Sequence, residues 1–129
     1  MAITVTNTTL QDGKKLAVIQ CTGVFATTTG EETDAVKVDV STLTPVPTTV
    51  KIQRIWYNNT VPGTFLEFDG ATDGLAVVFD DSGEGYLDYR AFGGLQDNST
   101  TPTGDITLTT LGTAAAGNGY NFVIEIWKN

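Results

Sequence analysis

Hydrophobic residues along this chain recur mostly at every second position, in short runs separated by turn-forming residues. Such alternation places apolar side chains on one side of an extended strand and polar ones on the other. The clearest run closes the sequence: Tyr120, Phe122, Ile124 and Ile126 share one face, and Asn121, Val123, Glu125 and Trp127 the other. Both faces are partly apolar, which predicts a strand in the middle of a sandwich or against a subunit interface, unlike a half-wet edge. At the other end, Ile3-Thr4-Val5-Thr6 alternates and opens the set, and Asp12-Gly13 marks a turn. Lys14 to Ala26 reads as one long strand with Leu16, Val18 and Val24 on one side and Ile19, Cys21 and Phe25 on the other. Gly23 within it predicts a bulge or bend at which one strand serves two sheets.

Ala35 to Val40 alternates strictly, predicting three valines inward and Lys37 and Asp39 outward. Pro45 and Pro47 end ladder pairing, since proline donates no backbone hydrogen bond. Strands resume over Val50–Tyr57, Thr64–Asp69, Leu75–Phe79, Tyr86–Arg90 and Asp105–Leu111. The glycine-rich segments 70–74 and 81–85 turn the chain between them, Phe92–Thr103 reads as a long surface loop broken by Pro102, and Gly112–Gly119 as a flexible connection. No window shows the three-and-four spacing of a long helix. The expectation is an all-β, single-domain β-sandwich over residues 1–129 with about eight or nine strands. Periodicity leaves jelly roll, immunoglobulin-like sandwich and small barrel open, because these differ in pairing order.

Composition strengthens the β reading, since threonine is unusually frequent and suits a pleated, half-exposed surface, while the 14 glycines suit turns. A length of 129 residues is enough to bury a core without staples. The net charge of −8 repels phosphate, so neither a nucleic acid nor an anionic membrane is an expected partner. The N-terminus lacks the pattern of a signal peptide, and no run has the length of a membrane-spanning helix. Cytoplasmic synthesis is therefore expected, and the triplets at Asn7, Asn58 and Asn98 are expected to carry no glycan. The single cysteine, Cys21, sits in an apolar run and is expected to be a buried hydrophobe.

The chain contains no histidine, which removes the usual general base, zinc ligand and triad partner. Paired carboxylates remain as a catalytic possibility, with Glu67, Asp69, Asp80, Asp81, Glu84 and Asp88 as candidates, although each also fits a solvated strand or turn. The stretch Asp80-Asp81-Ser82-Gly83-Glu84-Gly85 offers oxygen ligands but lacks the spacing of a calcium loop, so a plain turn is expected. Trp56-Tyr57 and Trp127 suggest either sugar stacking or core and interface packing, and adjacency puts Trp56 and Tyr57 on opposite faces. No enzyme activity, metal or cofactor is expected.

The opening Ile3-Thr4-Val5, the acidic approach to Glu32-Thr33-Asp34-Ala35-Val36-Lys37-Val38-Asp39-Val40-Ser41, the strand Val50 to Tyr57 and the ending Gly119 to Lys128 together form a recognisable arrangement. This pattern resembles the small β-sandwich structural proteins of tailed bacteriophages, in particular capsid decoration (cement) proteins. The resemblance spans most of the chain, is one of pattern, and carries no catalytic residues. It implies a jelly-roll-like protomer, a homotrimer, and a virion location on the outside of the head, with the major capsid protein as partner. The candidate oligomer or capsid contacts are Ile3, Val5, Trp56, Tyr57, Phe92, Leu95 and Trp127, with residues 2–9 suited to strand addition and 92–103 to adaptable contacts. The alternatives are another phage virion part (tail, fibre or baseplate) and a carbohydrate-binding β-sandwich module.

Overall fold

The computed structural model describes residues 3–25, 35–60, 63–79, 83–110 and 117–129. Among them are nine strands: β1 (Ile3–Asp12), β2 (Leu16–Phe25), β3 (Ala35–Val38), β4 (Val50–Asn59), β5 (Thr64–Thr72), β6 (Gly74–Val78), β7 (Gly83–Asp88), β8 (Thr100–Thr110) and β9 (Gly119–Lys128). The only helical elements described are two 3-10 turns, Val40–Thr42 and Arg90–Phe92. Two antiparallel sheets result, one in the order β1-β2-β9-β4-β7 and the other β3-β8-β5-β6.

The pairing order identifies the sandwich type. β5 pairs with β6, β4 with β7, β3 with β8 and β2 with β9. These four pairs are nested, as in one long hairpin whose tip is β5–β6. Rolling that hairpin brings β9 beside β4 and β8 beside β5, closing two four-stranded layers. This is the double Greek-key wrap of a jelly roll, with β1 added at the edge of the first sheet.

The core lies between the two layers. β2 contributes Ala17, Ile19, Cys21 and Phe25, and β9 contributes Tyr120, Phe122, Ile124 and Ile126, all buried. Across from them stand Val38, Leu66, Phe68, Ile106 and Leu108 from the second sheet. Both long strands present the faces their alternation predicts, and β9 lies at the centre of its sheet. Cys21 is a buried free thiol, its Sγ 3.9 Å from the Lys37 carbonyl oxygen. A run of rings crosses the interior: Tyr57 meets Phe79 at 4.9 Å, Phe79 stacks on Phe122 at 4.5 Å, and Phe122 stacks on Tyr120 at 5.0 Å.

Several expectations are corrected. Gly23 marks neither a bulge nor a change of sheet, because β2 stays in register with β1 and β9 through this position. A Cβ there would lie 2.5 Å from the Tyr120 ring, so glycine makes room for the aromatic. The bulge falls instead in β1, where the register shifts between Thr9 and Gln11 and leaves Leu10 exposed.

The valine alternation in β3 also breaks. Its register against β8 shifts between Val36 and Val38, which turns Val36 outward at 43% exposure and Lys37 inward at 3%. The Lys37 ammonium lies 5.3 Å from the centroid of the Tyr120 ring, a cation–π contact that compensates part of its desolvation.

The expected loop 92–103 is largely tethered. Leu95 forms a bridge with Ile52, with N–H to O=C distances of 3.0 and 2.8 Å, and β8 begins at Thr100, running through Pro102. Proline is tolerated because β3 pairs with β8 only at Ile106 to Leu108, so Pro102 has an open side. β7 ends at Asp88, short of the expected Arg90. The expected loop 27–32 lies outside the described residues, as do residues 80–82 and 111–116 of the other predicted connections.

Gly104 in β8 has φ +90°, and a Cβ would approach the Thr48 carbonyl oxygen to 2.8 Å. Gly104→Ala is therefore expected to lose about 2–3 kcal/mol from the combination of backbone strain and backbone contact. A lower urea midpoint at unchanged m-value checks this.

Candidate functional site

The outward face of the five-stranded sheet carries the most distinctive side-chain arrangement among the described residues. Register stacks its residues into rows across the strands. One row runs Thr22, Asn121, Asn58, Glu84; the next runs Gln20, Val123, Trp56, Tyr86; the third runs Val18, Glu125, Arg54, Asp88. The rows stay aligned because β4 inserts one extra residue between Ile52 and Arg54, which returns Arg54, Trp56 and Asn58 to the outer side.

Electrostatics fix the third row. The Arg54 guanidinium forks onto the Glu125 carboxylate, with Nε to Oε1 at 3.1 Å and Nη2 paired to Oε2. Glu125 is buried on this otherwise open face, and the fork supplies the paired donors that such burial requires. Glu125, then Tyr86, hold the Arg54 pKa above its usual range. Arg90 donates to Asp88 from Nε at 3.0 Å and from Nη2 at 2.8 Å, and Tyr86 donates its hydroxyl to Asp88 at 3.1 Å. The Arg90 hydrogen bonds push the Asp88 carboxyl far below the ordinary carboxylate range.

Trp56 stands on this charged base. The Arg54 guanidinium lies 4.9 Å from its ring centroid, and the Tyr86 ring lies 5.3 Å away at an interplanar angle of 32°. The two rings form a tilted stack, in contrast to a flat two-ring floor, so a ligand on this face meets the side of one indole. Between Trp56 and the row of Asn58, Asn121 and Glu84 is a shallow dish of about 360 Å3. Tyr57 and Gly85 also line it; the Tyr57 ring packs on Phe79, on the core side.

The expected contact residues separate into groups. Trp56 and Trp127, each 37% exposed, share the outer face but stand at different levels, since Trp127 aligns with Lys51 and Leu16. Phe92 is 67% exposed on the second 3-10 turn, and the half-buried Leu95 is bridged to Ile52, next to Lys51. Phe92, Leu95 and Trp127 thus belong to one end of the sheet. Tyr57 turns inward against the core, while Val5 is half-buried on β1 opposite Gly23. Ile3 opens β1 opposite Phe25, and its side chain lies outside the described residues.

The carboxylate candidates do not converge. Glu67 and Asp69 alternate with the buried Leu66 and Phe68 and so face outward from β5, whereas Glu84 and Asp88 face outward from β7 in the other sheet. The two pairs are on opposite exteriors of the sandwich. Asp69 accepts from Thr103 Oγ1 at 2.8 Å, and Thr109 Oγ1 donates to Glu67 at 3.4 Å. Asp80, Asp81 and Ser82 lie outside the described residues, so the turn expected there is not described. Among the described residues, no three His, Cys, Asp or Glu side chains group as metal ligands.

Sequence reasoning singled out Trp56 but missed Arg54, Tyr86, Asn58 and Asn121. Their signal is cross-strand register, which joins residues far apart in sequence. The chain matches no protein-family model, no curated protein and no solved structure.

Proposed function

We propose that this chain is a non-enzymatic structural protein of a tailed-phage virion, a decoration protein seated on the outside of the head. The single observation that carries this reading is the nested jelly-roll pairing of β2 to β9, a wrap that recurs in viral shell proteins. Exposed Phe92 and Trp127, gathered at one end of the five-stranded sheet, supply the aromatic anchors that protein interfaces favour. The outer edge of β1 adds ten residues of backbone able to accept a partner strand.

In this role the protein works by mass action. A chain that binds only the assembled lattice stabilises it increasingly as its free concentration exceeds the dissociation constant. A homotrimer placed where major capsid subunits meet would gain further through avidity. The surplus negative charge keeps the unassembled protein soluble.

Mixing the purified protein with emptied, expanded heads that lack decoration tests the reading. Saturable co-sedimentation, a raised capsid melting temperature and a solution mass of three 13.7 kDa chains are expected. Phe92→Ser and Trp127→Ala are each expected to weaken binding tenfold or more. A monomer that never saturates the lattice would exclude the proposal.

A further inference from the structure

We propose that the dish beside Trp56 is a binding subsite for a neutral glycan. This inference stands apart from the head-decoration reading, since it concerns a different part of the same sheet. Six residues of β4 lie between Lys51, level with Trp127, and Asn58 in the dish, a distance of about 20 Å along a strand. One end of the sheet can therefore be occupied while the dish stays open.

The chemistry of the lining selects the ligand class. Asn58 and Asn121 are cross-strand partners, and Glu84 is the partner of Asn58 on the other side, so three planar polar groups stand in one row. Each amide pairs a donor with an acceptor, and Glu84 adds an acceptor. Sugar hydroxyls donate and accept at once, so neighbouring hydroxyls on a ring match such a row. Gln20 Nε2 donates to Asn121 Oδ1 at 3.3 Å, which commits that oxygen and presents the Asn121 NH2 as the donor. The opposite wall is the part of the Trp56 indole left open by Arg54 and Tyr86, apolar surface against which the C–H groups of one sugar ring can pack.

Preorganisation supports the same conclusion. Trp56 is held by the Arg54 guanidinium and the Tyr86 ring, and Arg54 is itself forked onto Glu125. An aromatic already fixed in place loses little rotamer freedom on binding. The volume of about 360 Å3 is at the small end of ligand sites and suits one or two sugar rings.

Other classes fit less well. Among the described residues no lysine or arginine lines the dish, and Glu84 with the net charge of −8 opposes phosphates, uronates and sialic acids. An apolar ligand would strip water from Asn58, Glu84 and the Asn121 NH2 and offer no hydrogen bond in its place.

The test uses the full chain carrying Trp127→Phe, so that Trp56 is its only indole. Malto-, cello- and chito-oligosaccharides serve as neutral probes and oligogalacturonate as the anionic control, read by tryptophan fluorescence and by NMR shifts of the asparagine side-chain NH2 groups. Saturable binding of at least one neutral probe is expected, with a dissociation constant on the order of 1 mM. Asn58→Ala and Asn121→Ala are each expected to weaken it about tenfold, and Trp56→Ala to remove it. If Trp56→Ala lowers the melting temperature, the two asparagine variants decide, since they stand on the exposed surface. No saturable response to any neutral probe at roughly tens of millimolar, unchanged binding in both asparagine variants, or stronger binding of oligogalacturonate would each overturn the proposal.

Discussion

Replacing Phe122 by alanine is expected to destabilise the protein by about 4 kcal/mol, the cost of emptying a fully buried aromatic site. Phe122 is wholly inaccessible and lies between Phe79 at 4.5 Å and Tyr120 at 5.0 Å, so its loss opens a void between two stacked rings. It sits on β9, which hydrogen-bonds to both β2 and β4 and therefore cannot shift to fill the space without breaking two ladders. Phe122→Leu keeps most of the volume and is expected to lose roughly 1–1.5 kcal/mol. Val123→Ala, one residue along but on the half-exposed outer face, is expected to cost about 1 kcal/mol or less. Urea unfolding of the three variants checks the order. Equal losses at 122 and 123 would mean that the faces of β9 are not divided as described.

Lys128→Met is expected to lower the melting temperature by on the order of 10 °C. The buried Lys128 ammonium pairs with the Asp12 carboxylate, and donates to the Gly13 carbonyl at 2.7 Å and the Thr44 carbonyl at 3.0 Å. One cation thus gathers the β1–β2 turn, the segment before β4 and the end of β9. Methionine fills the stem's space but satisfies none of the three acceptors, which is the expensive way to lose a buried polar contact.

The same contact sets a pH dependence. The Lys128 hydrogen bond first, then the Thr44 N–H, hold the Asp12 carboxyl below its ordinary value of 3.8. A carboxylate whose folded pKa is depressed contributes stability that is fully present above its unfolded pKa and is lost as pH falls through the folded one. Melting temperatures measured from pH 6 down to pH 2 should therefore fall more steeply below about pH 4 in the wild type than in Asp12→Asn. Asp88, held down by Arg90, contributes equally to both proteins and cancels in the comparison.

Particular elements show what was legible. The faces of β2 and β9 could be read because each is a long unbroken alternation, and register preserves parity from end to end. Lys37 could not, since one extra residue in β3 reverses inside and outside, and the benefit of that reversal is the Tyr120 ring, 83 positions away. The β8 start was hidden by Pro102, which punctuates a strand only when both of its edges need donors. In the candidate site, Trp56 stood out by residue type alone. Its neighbours Tyr86, Asn121 and Arg54 are ordinary residues until pairing aligns them.

Alternation, turn residues and a threonine-rich composition determined by themselves that this is an all-β chain of short strands whose last strand is apolar on both faces, because side-chain direction along a strand is a local property of the backbone. The tertiary structure decided which strands meet. It folded the nested hairpin into a jelly roll, buried Lys37 and Glu125, and set a tryptophan, two asparagines and a glutamate around one dish. Those outcomes depend on hydrogen-bond register between distant segments, a choice made by the packing of the whole core and not by any one stretch of sequence.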